Sequence, residues 1–183
     1  MAEKGYVGTS VQDVLKEAAV SRRAFYELFT SKLDCFLTAF DYAGMILRRR
    51  MLEGVQADPA GRTQDPVDQF DRGLTAYLSA LASELAFARV FLVESYVAGP
   101  EAISRRASIQ GDIAGALATL MRATGPSGRY TCSMIIAAVS TMVTAPVAEG
   151  DADAIRAIGP PVVAHVRRLW ELGAFAEPAG QGK

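Results

Sequence analysis

The sequence predicts an all-α protein: a short N-terminal head of small helices joined by a tight turn, followed by a longer helical body. Three observations carry this prediction. Apolar residues recur at helical spacing along nearly the whole chain, and no alternating β-branched run interrupts them. Chain-breaking residues gather in a few places, at 54–65, 98–100 and 124–128. Half of the 183 residues are apolar, so the chain can bury a substantial core.

The elements follow in order. Val11, Val14, Leu15 and Ala18 lie at i, i+3, i+4 and i+7 and form one stripe on a helix over about 10–18. Thr9, with Gln12 three residues on, is expected to cap it. Ala19-Val20-Ser21 leaves room only for a corner, and Ser21 can cap the next helix, 22–29. There Phe25, Leu28 and Phe29 are expected to face the first helix, leaving Arg22, Arg23, Tyr26 and Glu27 outward. Ser31-Lys32-Leu33-Asp34 is another capping box and starts a helix over 32–53. Helices are then predicted at 66–84, 86–98, 101–123, 129–148 and 152–173. Pro100 and Glu101 suit a helix start, and Asp151 suits a cap. Gly159-Pro160-Pro161 is expected to kink the last helix, and the tail "EPAGQGK" to fray.

Bulk properties limit the function. The formal charge is −1 and the pI about 5.9, so attraction to nucleic acid has to come from a local patch. Cys35 and Cys132 make no disulfide framework, and reduced thiols are expected. The N-terminal "MAEKGYVGTS" carries no signal-peptide pattern, so a cytoplasmic protein is expected. Thr131 to Ala148 is uncharged, but its Ser, Thr and Pro content points to a helix packed against other helices rather than a lipid span. Enzyme chemistry is poorly supplied: there is one histidine, and no HExxH motif, nucleophile elbow or Cys/His cluster. No enzyme activity, cofactor or metal is expected.

Two helices joined by a three-residue turn, the second with an apolar back and a basic, aromatic front, make a helix-turn-helix. The second helix is short enough to lie across a major groove. Its positive N-terminal end and the paired arginines attract phosphate, and arginine can grip guanine in two places.

The stretch "GYVGTSVQDVLKEAAVSRRAFYELFTSKLDCFLTAF" resembles the DNA-binding segment of the TetR family of one-component regulators. The matching positions are Gly5-Tyr6, Thr9, Val14, Ala18, Val20-Ser21, Phe25-Tyr26, Phe29 and Ser31-Lys32. The resemblance implies a dimeric repressor whose heads, 1–46, bind double-stranded operator DNA. A helical body, 47–183, would bind a small apolar or aromatic effector and release the DNA. By position, Thr9, Tyr26 and Lys32 look like phosphate contacts. Arg22, Arg23 and Ala24 look like base-facing positions, with Ser21 beside them. Three residues depart from the pattern: Leu15 replaces a small alanine, Ala19 a corner glycine, and Leu28 a polar residue.

The resemblance also implies a whole helix before Gly5-Tyr6, of which Met1 to Lys4 look like the last turn. Without it Val11, Val14, Phe25 and Phe29 lose part of their cover, and a mobile head is expected. A helical ligand-binding or scaffold dimer without DNA binding is the competing reading.

In the body, 86–98 is apolar nearly all round and is expected to be central, with Glu94 a rim carboxylate, or one paired with an arginine such as Arg105 or Arg106, or else a polar anchor in a ligand pocket. Phe70, Tyr77, Phe91, Tyr96, Ile113, Leu117 and Met134 are the expected pocket residues. Ile136, Val139, Val162, Val166, Leu169 and Trp170 are the expected dimer seam. The run Arg48-Arg49-Arg50 reads as a solvated face, or as help in approaching DNA. His165 is expected only to pack or meet solvent.

Overall fold

The structure is a computed structural model and describes residues 4–57 and 65–176. The expected loop residues 58–64 and the tail 177–183 lie outside the described residues. Every regular element described is helical.

Three short helices open the chain: α1 (Gly5–Gly8), α2 (Val11–Glu17) and α3 (Arg22–Leu28). The cap of α2 falls one residue later than predicted. Ser10 accepts from the Asp13 amide, and Asp13 accepts from the Ser10 amide at 2.8 Å. Thr9 instead turns inward. Ser21 caps α3 as its sequence suggests, accepting from the Ala24 amide at 3.1 Å. Phe25, 3% exposed, is the buried pivot of the head, while Val11, Val14 and Phe29 are half-buried. Leu28 does not share that buried face: it is 76% exposed. Phe29 leaves the helix in extended backbone and takes the inner place, so nothing covers Leu28.

The 25-residue helix α4 (Lys32–Gln56) runs without a break from the head into the body. Its buried stripe of Phe36, Leu37, Phe40, Ala43 and Leu47 follows the helical period and packs on α5 (Pro66–Ser83). Then the chain departs from the single helix predicted at 86–98. It forms α6 (Leu85–Arg89), a π-helical turn (Val90–Glu94) and α7 (Ser95–Val97). A π turn accommodates an extra residue and rotates the residues after it, and such turns often sit at functional sites.

Next come α8 (Pro100–Leu120) and α9 (Gly125–Met142), with Pro100 and Pro126 in their first turns. "TGPSG", expected as a loop, is therefore mostly helix start. Gly128 lies so close to the Phe175 carbonyl that a Cβ would approach it to 2.2 Å. α10 (Thr144–Glu149) ends at Gly150 in left-handed backbone. The predicted last helix is not kinked but broken, into α11 (Ala152–Ala157) and α12 (Gly159–Glu171). Pro160 and Pro161 lack amide donors, so they fit the start of α12 better than the middle of a helix. One core joins α4, α5, the π turn, α8, α9 and α12.

Ion pairs tie the layers at the surface. Arg105 of α8 meets Asp41 of α4, and Arg167 of α12 meets Asp68 of α5. The arginine run is also paired: Arg48 with Asp112, and Arg49 and Arg50 with Glu53.

The corner between α2 and α3 carries strain. Ala19 has φ +53°, a left-handed conformation that costs a Cβ-bearing residue about 1–2 kcal/mol. Replacing Ala19→Gly should raise stability by about 1 kcal/mol, a Tm gain of about 2–4 °C measured at fixed protein concentration.

Candidate nucleic-acid interface and its link to the body

The outer face of α3 is built from Arg22, Arg23, Tyr26 and Leu28. All are exposed, and the first turn of α3 holds no acidic residue. Arg22 makes no ion pair among the described residues. Arg23 leans back to Glu27 at 2.8 Å, a contact on an exposed face that water and phosphate can displace. Ala24 is half-buried behind them. Helix dipole, two guanidinium groups and a phenol thus converge at one end of a helix about 10 Å long.

Two expected phosphate contacts are engaged inside the protein. Thr9 is 3% exposed, and its hydroxyl donates to the Gly5 carbonyl at 2.7 Å. Lys32 donates to the carbonyls of Tyr6 and Thr9, both at 2.9 Å, and its ammonium lies 4.2 Å from the centre of the Tyr6 ring. Burial and local backbone acceptors claim these groups, a contest that sequence position does not reveal. Asp13 and Asp34 sit on the same head. Lys4 and Ser10 hold the Asp13 carboxyl well below the usual range, and the Thr30 amide and hydroxyl lower Asp34.

Glu94 is neither a pocket anchor nor an arginine's partner. It is 7% exposed, and its carboxylate accepts the Tyr6 amide at 2.7 Å. Gly5, at φ +70°, makes the approach possible: a Cβ there would come within 3.1 Å of the Glu94 oxygen. The four-residue α1 is therefore held at its N-terminal end by an anion and at its C-terminal end by the Lys32 cation, both of which suit the helix dipole. The expectation missed this partner because it lies 88 residues away in sequence, across from the π turn that ends at Glu94.

A second line of contact runs parallel. Tyr6 meets Phe36 edge-on at 5.0 Å, Phe36 lies 6.2 Å from Phe40, and Phe40 stacks on Phe91 at 4.5 Å. Phe91 lines a cavity of about 60 Å³ in the body, together with Tyr77 and Ile113. Phe70 and Leu117 line a neighbouring cavity of about 270 Å³. Ile136, expected at the dimer seam, lines both cavities. Met134, expected in the pocket, points outward and is 51% exposed. These two residues lie on opposite sides of α9, and the helical phase could not say which side was inner. Tyr96 is 55% exposed but stands 4.9 Å over Arg106. Sequence reading missed Arg106, Gln110 and Ser140 as lining residues; Arg105 and Arg106 are adjacent, and only packing decides that Arg106 is the buried one.

Val139, Val162, Val166 and Leu169 line an external groove of about 340 Å³ between α9 and α12, with Met134 and His165 at its edge. Trp170 packs 6.0 Å from Phe175 instead of opening into the groove. Gly125–Glu149 is apolar and long enough to cross a membrane by composition, and its most apolar 18 residues are 39% buried within the chain.

A short capped helix, a tight corner and an exposed basic helix make a helix-turn-helix head on a helical body. Comparison with known proteins narrows this. Residues 1–39 match the family model described as "Bacterial regulatory proteins, tetR family". A curated protein of Lactococcus lactis subsp. lactis, "Uncharacterized HTH-type transcriptional regulator in lacX 3'region", is 38% identical over 53 residues. That match covers 29% of this chain and 27% of that protein, so the chain aligns with about a quarter of its length. The crystal structure of the TetR family transcriptional regulator PfmR from Thermus thermophilus shares the fold. Its TM-score is 0.61 at 19% identity, over 99% of this chain and 93% of that one. Residues 1–39 are thus similar to the TetR-family head, and the chain shares the all-helical fold of that solved structure.

Removing the clasp tests its weight. Glu94→Ala should speed amide exchange at Tyr6 roughly 10–100-fold, as loss of a charge-assisted hydrogen bond implies. Glu94→Gln, which keeps an acceptor, should lose less.

Proposed function

We propose that the protein is a DNA-binding transcriptional regulator, a ligand-released repressor that acts as a dimer on operator DNA in the cytoplasm. The observation that carries the proposal is the outward face of α3, where Arg22 has no ion-pair partner among the described residues and Arg23 and Tyr26 stand beside it. Arg22 and Arg23 would read base edges while Tyr26 meets phosphate. The family match over the same residues supports this reading.

The dimer would form along the α9–α12 groove. A largely exposed apolar helix is costly in water, and a second copy laid across the groove would cover it. Two heads could then address successive major grooves, about 34 Å apart or a multiple of that.

Release would follow from coupling. The body cavity shares Phe91 with the aromatic contacts leading to Tyr6, and Leu92 with the π turn that ends at Glu94. A ligand that repositions this turn would shift α1, and α4 with it, changing the head spacing. A second reading, a ligand-binding dimer without DNA contact, is favoured by the internal engagement of Thr9 and Lys32.

Gel-shift with DNA upstream of the protein's own coding region separates the two readings: binding supports the regulator, and no shift supports the scaffold. Arg22→Ala should weaken operator binding by about 1–3 kcal/mol and relax preference at one base pair. Tyr26→Phe should weaken all sequences about equally. Met134→Glu places a charge at the groove and should convert the dimer to a monomer in sedimentation velocity.

A further inference from the structure

Arg106 is a buried cation without an anion. It is 5% exposed, and among the described residues it forms no ion pair with a carboxylate. Its guanidinium donates to the Leu92 carbonyl at 2.7 Å and to the Ser140 hydroxyl at 2.8 Å, with the Ser95 hydroxyl at 3.5 Å. The Tyr96 ring covers it from outside. Every one of these partners is neutral, and burying an uncompensated charge is expensive.

The surroundings are rich in donors. Gln110 donates to the same Ser140 oxygen at 2.7 Å. That oxygen already accepts two hydrogen bonds, so its own proton is left for another acceptor. Tyr77 makes no hydrogen bond among the described residues. Burial pushes its phenol up to about 12, so it remains a protonated donor despite the arginine nearby. Four donor side chains thus line one end of an otherwise apolar cavity, and the missing component is a negatively charged acceptor.

The cavity as a whole holds about 60 Å³, room for a carboxylate-sized group. The neighbouring space of about 270 Å³ is mostly apolar, with the Arg48–Asp112 ion pair on its lining. Met51, Leu74, Ile113 and Ile136 line both spaces and form the partition between them. These are flexible or branched aliphatic side chains, and Met51 in particular can swing aside.

We propose that the body binds an elongated apolar monocarboxylic acid, its carboxylate on Arg106 with Gln110, Ser140 and Tyr77, and its chain passing Met51 into the second cavity. The proposal rests on the body being an effector domain and adds the chemical class of the effector. A carboxylate takes guanidinium donors in the strongest hydrogen-bonding geometry available to that group. Its arrival would compete with the Leu92 carbonyl for Arg106, which places the chemistry two residues from Glu94.

The test is isothermal titration of the full chain, without DNA, using octanoate, decanoate and palmitate. The matching alcohols and decyltrimethylammonium serve as controls. At least one carboxylate should bind about tenfold or more tighter than its alcohol, and the ammonium should bind weakest. In Arg106→Gln the advantage of carboxylate over alcohol should fall to within about twofold while alcohol binding persists. If that variant fails to fold, Ser140→Ala should cut the advantage roughly threefold or more with helix content unchanged. Equal binding of acid and alcohol to the wild type, or a preference that survives Arg106→Gln, overturns the carboxylate proposal and leaves the effector domain standing. Binding of none of the compounds overturns the carboxylate proposal, and operator release tested with other ligands then decides the effector domain separately.

Discussion

One hydrogen bond holds α1 of the head against the body, from the Tyr6 amide to the Glu94 carboxylate at 2.7 Å, beside the continuous helix α4. It spans 88 residues of sequence and is the polar contact that joins the first helix of the head to the centre of the body. A four-residue helix has no stability of its own. α1 is held because Glu94 and Lys32 place opposite charges at its two ends, and because Gly5 lets the carboxylate approach. Much else follows from this clasp: Thr9 and Lys32 are drawn inward, and the exposed α3 is left as the head's outward surface.

The clasp ends on the π turn. Within that turn Phe91 and Leu92 line the cavity, and Glu94 meets the head. The Leu92 carbonyl is taken up by Arg106, so a buried cation and a buried anion act on the same turn without touching each other. Within the proposed mechanism, a change at Arg106 has a short path to α1 through this turn. The stacked rings of Phe91 and Phe40, and then Phe36 and Tyr6, give a second path through tightly packed groups that transmit displacement.

The far side of the body has a different constraint. α9 turns Cys132, Ile135 and Val139 inward and Met134 and Met142 outward, leaving an apolar surface that water disfavours. The same helix therefore separates the interior cavity from the outer groove, with Ile136 on one side and Met134 on the other. In the proposed dimer, filling the cavity and packing the second copy would act on opposite faces of one element.

The sequence alone determined what is local. Helical period, caps at Ser21 and Asp151 and the corner at Ala19 were readable because each depends on residues within a turn or two. The exposed front of α3 was readable for the same reason. Only the tertiary structure decided what depends on distant partners. Glu94 was visible as an odd carboxylate in an apolar run, but its partner lies at the other end of the chain. Lys32 has the side chain of a phosphate contact, yet the Tyr6 and Thr9 carbonyls, more than 20 residues away, accept from it. Leu28, Met134 and Ile136 changed sides because helical phase gives relative directions and only packing fixes which direction is inward.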